Sequence, residues 1–175
     1  MSNAWGPGNA HDEKELTRLM DTYGGMLSSL CRMMLHDYHR SQDAVQETFI
    51  KAYRHIHMLS SIENEKAWLI RIAVNCCRDM MRTGWFRHIA KSVNLDDLPE
   101  LPVQSMATED SALLDLVASL PAREREVLLL HYWQELPPDV IARTLSINRA
   151  TVYRRLERAR VHLRFEMEKG GLHHD

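Results

Sequence analysis

A chain of 175 residues that is 45% hydrophobic has room for one ordinary domain or two small ones, with a buried core that needs neither disulfides nor metal. Its formal net charge of −2 does not by itself advertise a nucleic-acid binder. The odd set Cys31, Cys76 and Cys77, without a Cys-x-x-Cys, excludes a secreted disulfide framework and fits a reducing cytosol. No apolar run approaches the roughly 18–20 residues that span a bilayer, and the N-terminus does not read as a signal peptide. The expectation is a soluble, cytoplasmic protein. Ser2-Asn3-Ala4 has the form of an expression-vector scar and is set aside.

Strand signals are nearly absent and helical periodicity recurs throughout. Asp12 to about His36 predicts a helix with Leu16, Leu19, Met20, Tyr23, Met26, Leu27, Leu30, Met33 and Met34 inward, and Gly24-Gly25 as a place to bend. Ser41 is the expected N-cap of the next helix, on which Val45, Phe49, Ala52 and Ile56 form an apolar stripe. A polar stretch, His57 to Asn64, precedes a long helix from Glu65 past Met81. Its apolar side carries Trp68, Leu69, Ile72, Ala73 and Cys76.

From Ser92 to Leu120 there is no Lys or Arg, while Asp96, Asp97, Glu100, Glu109, Asp110 and Asp115 all fall there. With Pro99 and Pro102, Ser92 to Asp110 reads as a linker. Helices resume at about Ser111 with Leu113, Leu114, Leu116, Val117 and Leu120. Pro121 suits the first turn of a helix bearing Val127, Leu128, Leu130, His131 and Trp133. Pro137-Pro138 opens a short helix to Thr144, and a last one runs from about Arg149 to Lys169. The expected fold class is all-α: a domain at 11–91, a flexible acidic linker at 92–110 and a second domain at 111–169.

The strongest local signal is Asp139 to Arg160, which has the spacing of a helix-turn-helix. Ala142 is the small residue where the helices cross, and Ser146-Ile147-Asn148 forms the turn. Ile141, Leu145, Ile147, Val152 and Leu156 lock the second helix onto the first. The departure is Ser146, where Gly would take a positive φ at less cost. On the last helix Val152, Leu156, Ala159 and Leu163 form the buried seam. Thr151, Arg154 and Arg158 point away from it, flanked by Arg149 and Arg155. Such a stripe neutralises phosphates and reaches guanine edges; the alternative is a solvated basic face.

Asp43-Ala-Val-Gln-Glu-Thr-Phe-Ile-Lys-Ala-Tyr-Arg and Ala67-Trp-Leu-Ile-Arg-Ile-Ala-Val-Asn-Cys-Cys-Arg-Asp-Met-Met-Arg resemble region two of bacterial sigma factors of the extracytoplasmic-function (ECF) group. Leu120-Pro-Ala-Arg-Glu-Arg-Glu-Val-Leu-Leu-Leu with the helix-turn-helix resembles their region four, and the likeness covers about Glu15 to Arg164. It implies a sigma-two-like helical bundle and a sigma-four-like domain that together direct promoter-specific transcription initiation. The implied partners are core RNA polymerase, through its β′ clamp and β flap, promoter DNA, and an anti-sigma factor. It implies that Asp43, Gln46, Glu47, Ile50 and Arg54 meet the β′ clamp; for Asp43 and Arg54 a plain solvent face is an equal alternative. It assigns Asn64 and its loop to a pocket for an extruded minus-ten base, with Arg71, Arg78, Arg82 and Arg87 supplying charge and Trp85 and Phe86 stacking surfaces. Arg149, Thr151, Arg154, Arg155 and Arg158 would read the minus-thirty-five element. Asn75 and Asp79 match family positions but can equally cap local structure.

Ten histidines, among them the pairs His36/His39 and His55/His57, find no Cys or carboxylate to complete a four-ligand site. No phosphate loop, nucleophile elbow or paired carboxylates support catalysis. The expectation is a non-enzyme without metal, cofactor or small-molecule substrate. The competing class is a stand-alone helix-turn-helix regulator whose first domain dimerises or senses a ligand.

Overall fold

The computed structural model describes residues 10–91 and 110–169, with side-chain surroundings for 10–83 and 112–169. The expected linker at 92–110 therefore lies outside the described residues, except Asp110, which already begins a helix. The described residues form helices and turns without a strand: α1 (Ala10–Leu35), α2 (Tyr38–Arg54), a 3-10 turn (Ile56–Ser61) and α3 (Glu65–Lys91), then α4 (Asp110–Ser119), α5 (Ala122–Leu128), a π turn (Leu129–Trp133), α6 (Pro138–Leu145) and α7 (Arg149–Lys169). Two compact units divide the chain, Met1–Arg78 and Asp79–Asp175, so that the division falls within α3.

In the first unit, α1 runs unbroken through Gly24 and Gly25. It stops at His36, whose N–H still bonds the Arg32 carbonyl at 2.9 Å and whose φ of 51° then turns the chain out of the helix. Asp37, not Ser41, caps α2: its carboxylate accepts the Arg40 N–H at 2.9 Å. Ser41 lies one turn inside and is buried. The residues of α2 buried in this unit are Ser41, Ala44, Thr48, Phe49 and Ala52, while Val45 is only half-buried. The expected apolar stripe is buried at Phe49, Ala52 and Ile56 and fails at Val45, beside which the small side chains of Ser41, Ala44 and Thr48 take the buried side. These can face a packed neighbour because their hydroxyls are satisfied within the helix, Ser41 donating to the Tyr38 carbonyl (2.7 Å) and Thr48 to that of Ala44 (2.6 Å).

Leu19, Leu27, Leu30, Cys31 and Met34 of α1 and Leu69, Ile70, Ala73, Val74, Cys76 and Cys77 of α3 complete the core. Both adjacent cysteines are buried. Burial pushes the Cys76 thiol up, away from the reactive thiolate, with the Thr48 hydroxyl beside it as a weaker opposing influence. Met20, expected inward, is 48% exposed; the core stripe of α1 passes to one side of it.

In the second unit, Arg125 ties α5 to the end of α4. Its guanidinium donates to the carbonyls of Val117 (3.2 Å), Ala118 (2.8 Å) and Leu120 (2.9 Å) at the helix end, the first of which also accepts the Leu120 N–H at 3.2 Å. Burial lowers the pKa of Arg125 from its ordinary value. The helix then widens, with the Gln134 N–H reaching back to the Leu129 carbonyl at 3.0 Å. Trp133, the last residue of this turn, is 53% exposed. Leu113 is half exposed, and Leu163, expected in the buried seam, is half-buried; Val117, Leu120, Val127, Leu130, Ile141, Val152, Leu156 and Ala159 make the core.

Ser146 takes the left-handed conformation that its place in the turn demands, φ 54° and ψ 45°. The Ile147 N–H bonds the Ala142 carbonyl (3.0 Å) and the Ser146 N–H that of Arg143 (3.3 Å), which closes α6 in a Schellman turn. A Cβ in that conformation costs roughly 1 kcal/mol. Ser146→Gly is therefore expected to stabilise this domain by about that amount, raising its melting temperature by roughly 4–8 °C. Ser146→Ala keeps the Cβ and should give no such gain; equal melting of the glycine variant and the parent would refute the assignment.

Candidate nucleic-acid and partner interfaces

The helix-turn-helix is assembled as its spacing demands. Pro138 occupies the first turn of α6, where its missing N–H costs nothing. Asn148 caps α7, its side-chain oxygen accepting the Thr151 N–H at 2.7 Å. Ile141, Leu145, Val152 and Leu156 are all at most 3% exposed, so α7 sits on a rigid support. Ala142 is buried at the crossing.

Of the expected upstream-element residues, Arg149, Arg154 and Arg158 are exposed and Thr151 is half-buried. Arg155 does not join them. Its side chain is 15% exposed and its guanidinium stands 4.0 Å from the buried carboxylate of Glu126. There it offsets a charge that would otherwise be costly inside the domain. Tyr153 is the residue that sequence reasoning missed: it is 49% exposed, its ring lies 5.6 Å from the Arg149 guanidinium, and its hydroxyl accepts an Arg149 N–H at 3.1 Å. Its i, i+4 spacing from Arg149 was the available signal. Further along α7, Arg160 donates twice to the Tyr132 hydroxyl, at 2.9 and 2.6 Å, and His162 Nδ1 stands 2.5 Å from Glu124. These contacts brace α7 against the π turn and α5 rather than extend the open face.

The first unit carries a groove of about 610 Å³ between α1 and α2. Leu16, Met20 and Gly24 form one wall and Val45, Phe49 and Ile50 the other, with Asp43 and Gln46 on its rim. The structure thus brings Asp43, Gln46 and Ile50 together at an apolar depression. Glu47 turns toward Lys51 (3.8 Å) instead, and Arg54 is exposed at the end of the helix. The α1 half of this surface was not legible in the sequence, because Leu16 and Met20 fit an inward stripe equally well.

Asn64 is exposed, but its side-chain oxygen accepts the Ala67 N–H at 2.9 Å and so caps α3. Arg71 and Asn75 are exposed and Arg78 half-buried; Arg82 is exposed and paired with Asp79, one turn away. Trp85, Phe86 and Arg87 lie outside the residues whose side chains are described. Glu65, directly after the cap, accepts two Arg18 N–H bonds, at 2.7 and 3.1 Å, and stands 3.4 Å from the Tyr23 hydroxyl. The Arg18 hydrogen bonds hold the Glu65 carboxyl below its ordinary value. Among the described residues no group of three or more His, Cys, Asp or Glu could hold a metal ion, and no helix is long and apolar enough to cross a membrane.

Two helical units, one of them carrying a helix-turn-helix, define a two-domain all-helical protein of the DNA-binding class. Residues 19–87 match the family Sigma-70 region 2, and residues 110–163 match Sigma-70, region 4. The ECF RNA polymerase sigma factor SigM of Bacillus subtilis is 31% identical over 166 residues, 91% of this chain and 96% of that protein. A second relative, named as a probable RNA polymerase sigma factor, RfaY of Xanthomonas campestris, is 27% identical over 158 residues; the match covers 86% of this chain but 40% of RfaY. The sigma factor RpoE, in its co-crystal structure with the anti-sigma factor NepR from Bartonella quintana, shares the fold. Its TM-score is 0.70 at 22% identity, over 92% of this chain and 99% of that one. The chain belongs to the ECF sigma factors of RNA polymerase, which direct transcription initiation at promoters.

Proposed function

We propose that residues 11–91 bind core polymerase and read and melt the minus-ten element, and that residues 111–169 read the minus-thirty-five element and meet the β flap. Asp43, Gln46, Glu47, Ile50 and Arg54 dock on the β′ clamp. Asn64 and its loop, with Arg71, Arg78, Arg82 and Trp85, engage the single strand. Arg149, Thr151, Arg154 and Arg158 face the upstream duplex, with Arg155 acting from behind by fixing α7. The factor works in the cytoplasm, performs no chemistry of its own, needs no cofactor and is restrained by an anti-sigma factor.

The observation that carries this reading is the groove between α1 and α2. A regulator acting alone has no use for Ile50 and Met20 at an open apolar depression rimmed by Asp43 and Gln46, whereas a subunit of a larger assembly does. The test is reconstitution with purified core polymerase followed by sequencing of the transcripts. The expected result is stable association and initiation downstream of one shared pair of promoter elements. A chain that fails to associate with core polymerase, yet binds duplex DNA alone, would overturn the proposal in favour of a stand-alone regulator.

A further inference from the structure

The 3-10 turn Ile56–Ser61 and the residues up to Asn64 connect α2 to α3, and their placement depends on how α3 begins. Ile56 anchors one end, being 6% exposed, and the Asn64 cap closes the other. What orients the first turn of α3 is a cluster from the middle of α1. Arg18 grips Glu65 through both terminal nitrogens, while its Nε donates to Glu15 at 3.0 Å and Tyr23 adds its hydroxyl. A planar guanidinium bonded through two nitrogens fixes direction as well as distance, which a single point charge does not. Arg18 also lies between Leu16 and Met20 in sequence, the two α1 residues that line the groove.

We infer that Arg18 and Glu65 are positioning residues: their clamp sets the connecting segment 56–64 in the orientation that receives the single strand, and links it to the helix that walls the polymerase-facing groove. The inference rests on the minus-ten and polymerase assignments proposed above. Because the pair is solvent-accessible, it contributes little to the stability of the unit, and its effect falls on geometry.

The test uses holoenzyme assembled from the full chain and core polymerase, with a fluorescent single-stranded oligonucleotide carrying the minus-ten sequence of a promoter found by transcript sequencing. Glu65→Ala and Arg18→Glu are each expected to weaken oligonucleotide binding about fivefold while core association stays within twofold. That second readout also shows that the variants fold. The exchange Arg18→Glu with Glu65→Arg restores an opposite-charge pair between the same positions and should recover most of the loss. Unchanged binding by Glu65→Ala, or an exchange variant as weak as the single ones, would overturn the inference. Failure of the underlying reading looks different: parent holoenzyme would bind the oligonucleotide no better than core polymerase alone, and the clamp assignment would fall with it.

Discussion

Reversing Arg154 and Arg158 together to Glu is expected to weaken holoenzyme binding to the upstream promoter element about a hundredfold, with core association unchanged. Both side chains are exposed on the outward face of α7. Each good contact to a base edge is worth roughly 1–3 kcal/mol, and placing a carboxylate against a phosphate adds repulsion to the lost attraction. The salt dependence sharpens the test. If both arginines meet phosphates, the slope of log affinity against log salt should flatten by about two counterions' worth in a neutralising Arg→Gln pair. Arg155→Gln provides the contrast. Its guanidinium faces Glu126, so its loss should appear first as lower domain stability and only secondarily in binding. Normal transcription from the same promoters by the double-reversal variant would show that α7 does not read DNA through this face.

Ile50→Glu is expected to lower affinity for core polymerase by about thirtyfold or more while leaving the fold intact. Ile50 lines the groove and is half-buried, whereas the core contacts of α2 are made by Ala44, Thr48, Phe49 and Ala52. A carboxylate in the desolvated centre of an interface costs as much as a hot-spot truncation, about 2 kcal/mol or more. Leu30→Ala, a core position outside the groove, is the matched control. That side chain is fully buried, and its truncation should cost roughly 3 kcal/mol of stability, so its binding defect would track unfolding. Undiminished polymerase affinity in a well-folded Ile50→Glu variant would remove the groove from the interface.

The two helical domains and the helix-turn-helix were legible because helical spacing, prolines at helix starts and a three-residue turn constrain the backbone directly. Ser146 stands where the spacing of the turn asks for a positive φ, so the strained position is readable from the residue pattern alone. The features that resisted have physical reasons. Val45 looked like core because it is apolar, but Ser41, Ala44 and Thr48 won the buried side by being small and by satisfying their hydroxyls locally. The π turn Leu129–Trp133 leaves no signature in the residue pattern. Arg155 has the right chemistry for nucleic acid, yet its guanidinium stands against the buried Glu126 carboxylate, and the Asn64 oxygen also serves as the cap of α3, neither of which helical spacing reveals. Arg18 and Glu65 are 47 positions apart, a pairing that periodicity within single helices cannot reveal.

The small-residue seam of α2 has a consequence for how such a protein diversifies. Because Ser41, Ala44, Thr48, Phe49 and Ala52 hold the helix in place, the half-buried Val45 and Ile50 beside them are relieved of much of the folding duty. Substitutions at Val45 or Ile50 can accumulate under selection for partner choice alone, so lineages can retune an assembly surface without passing through unfolded ancestors.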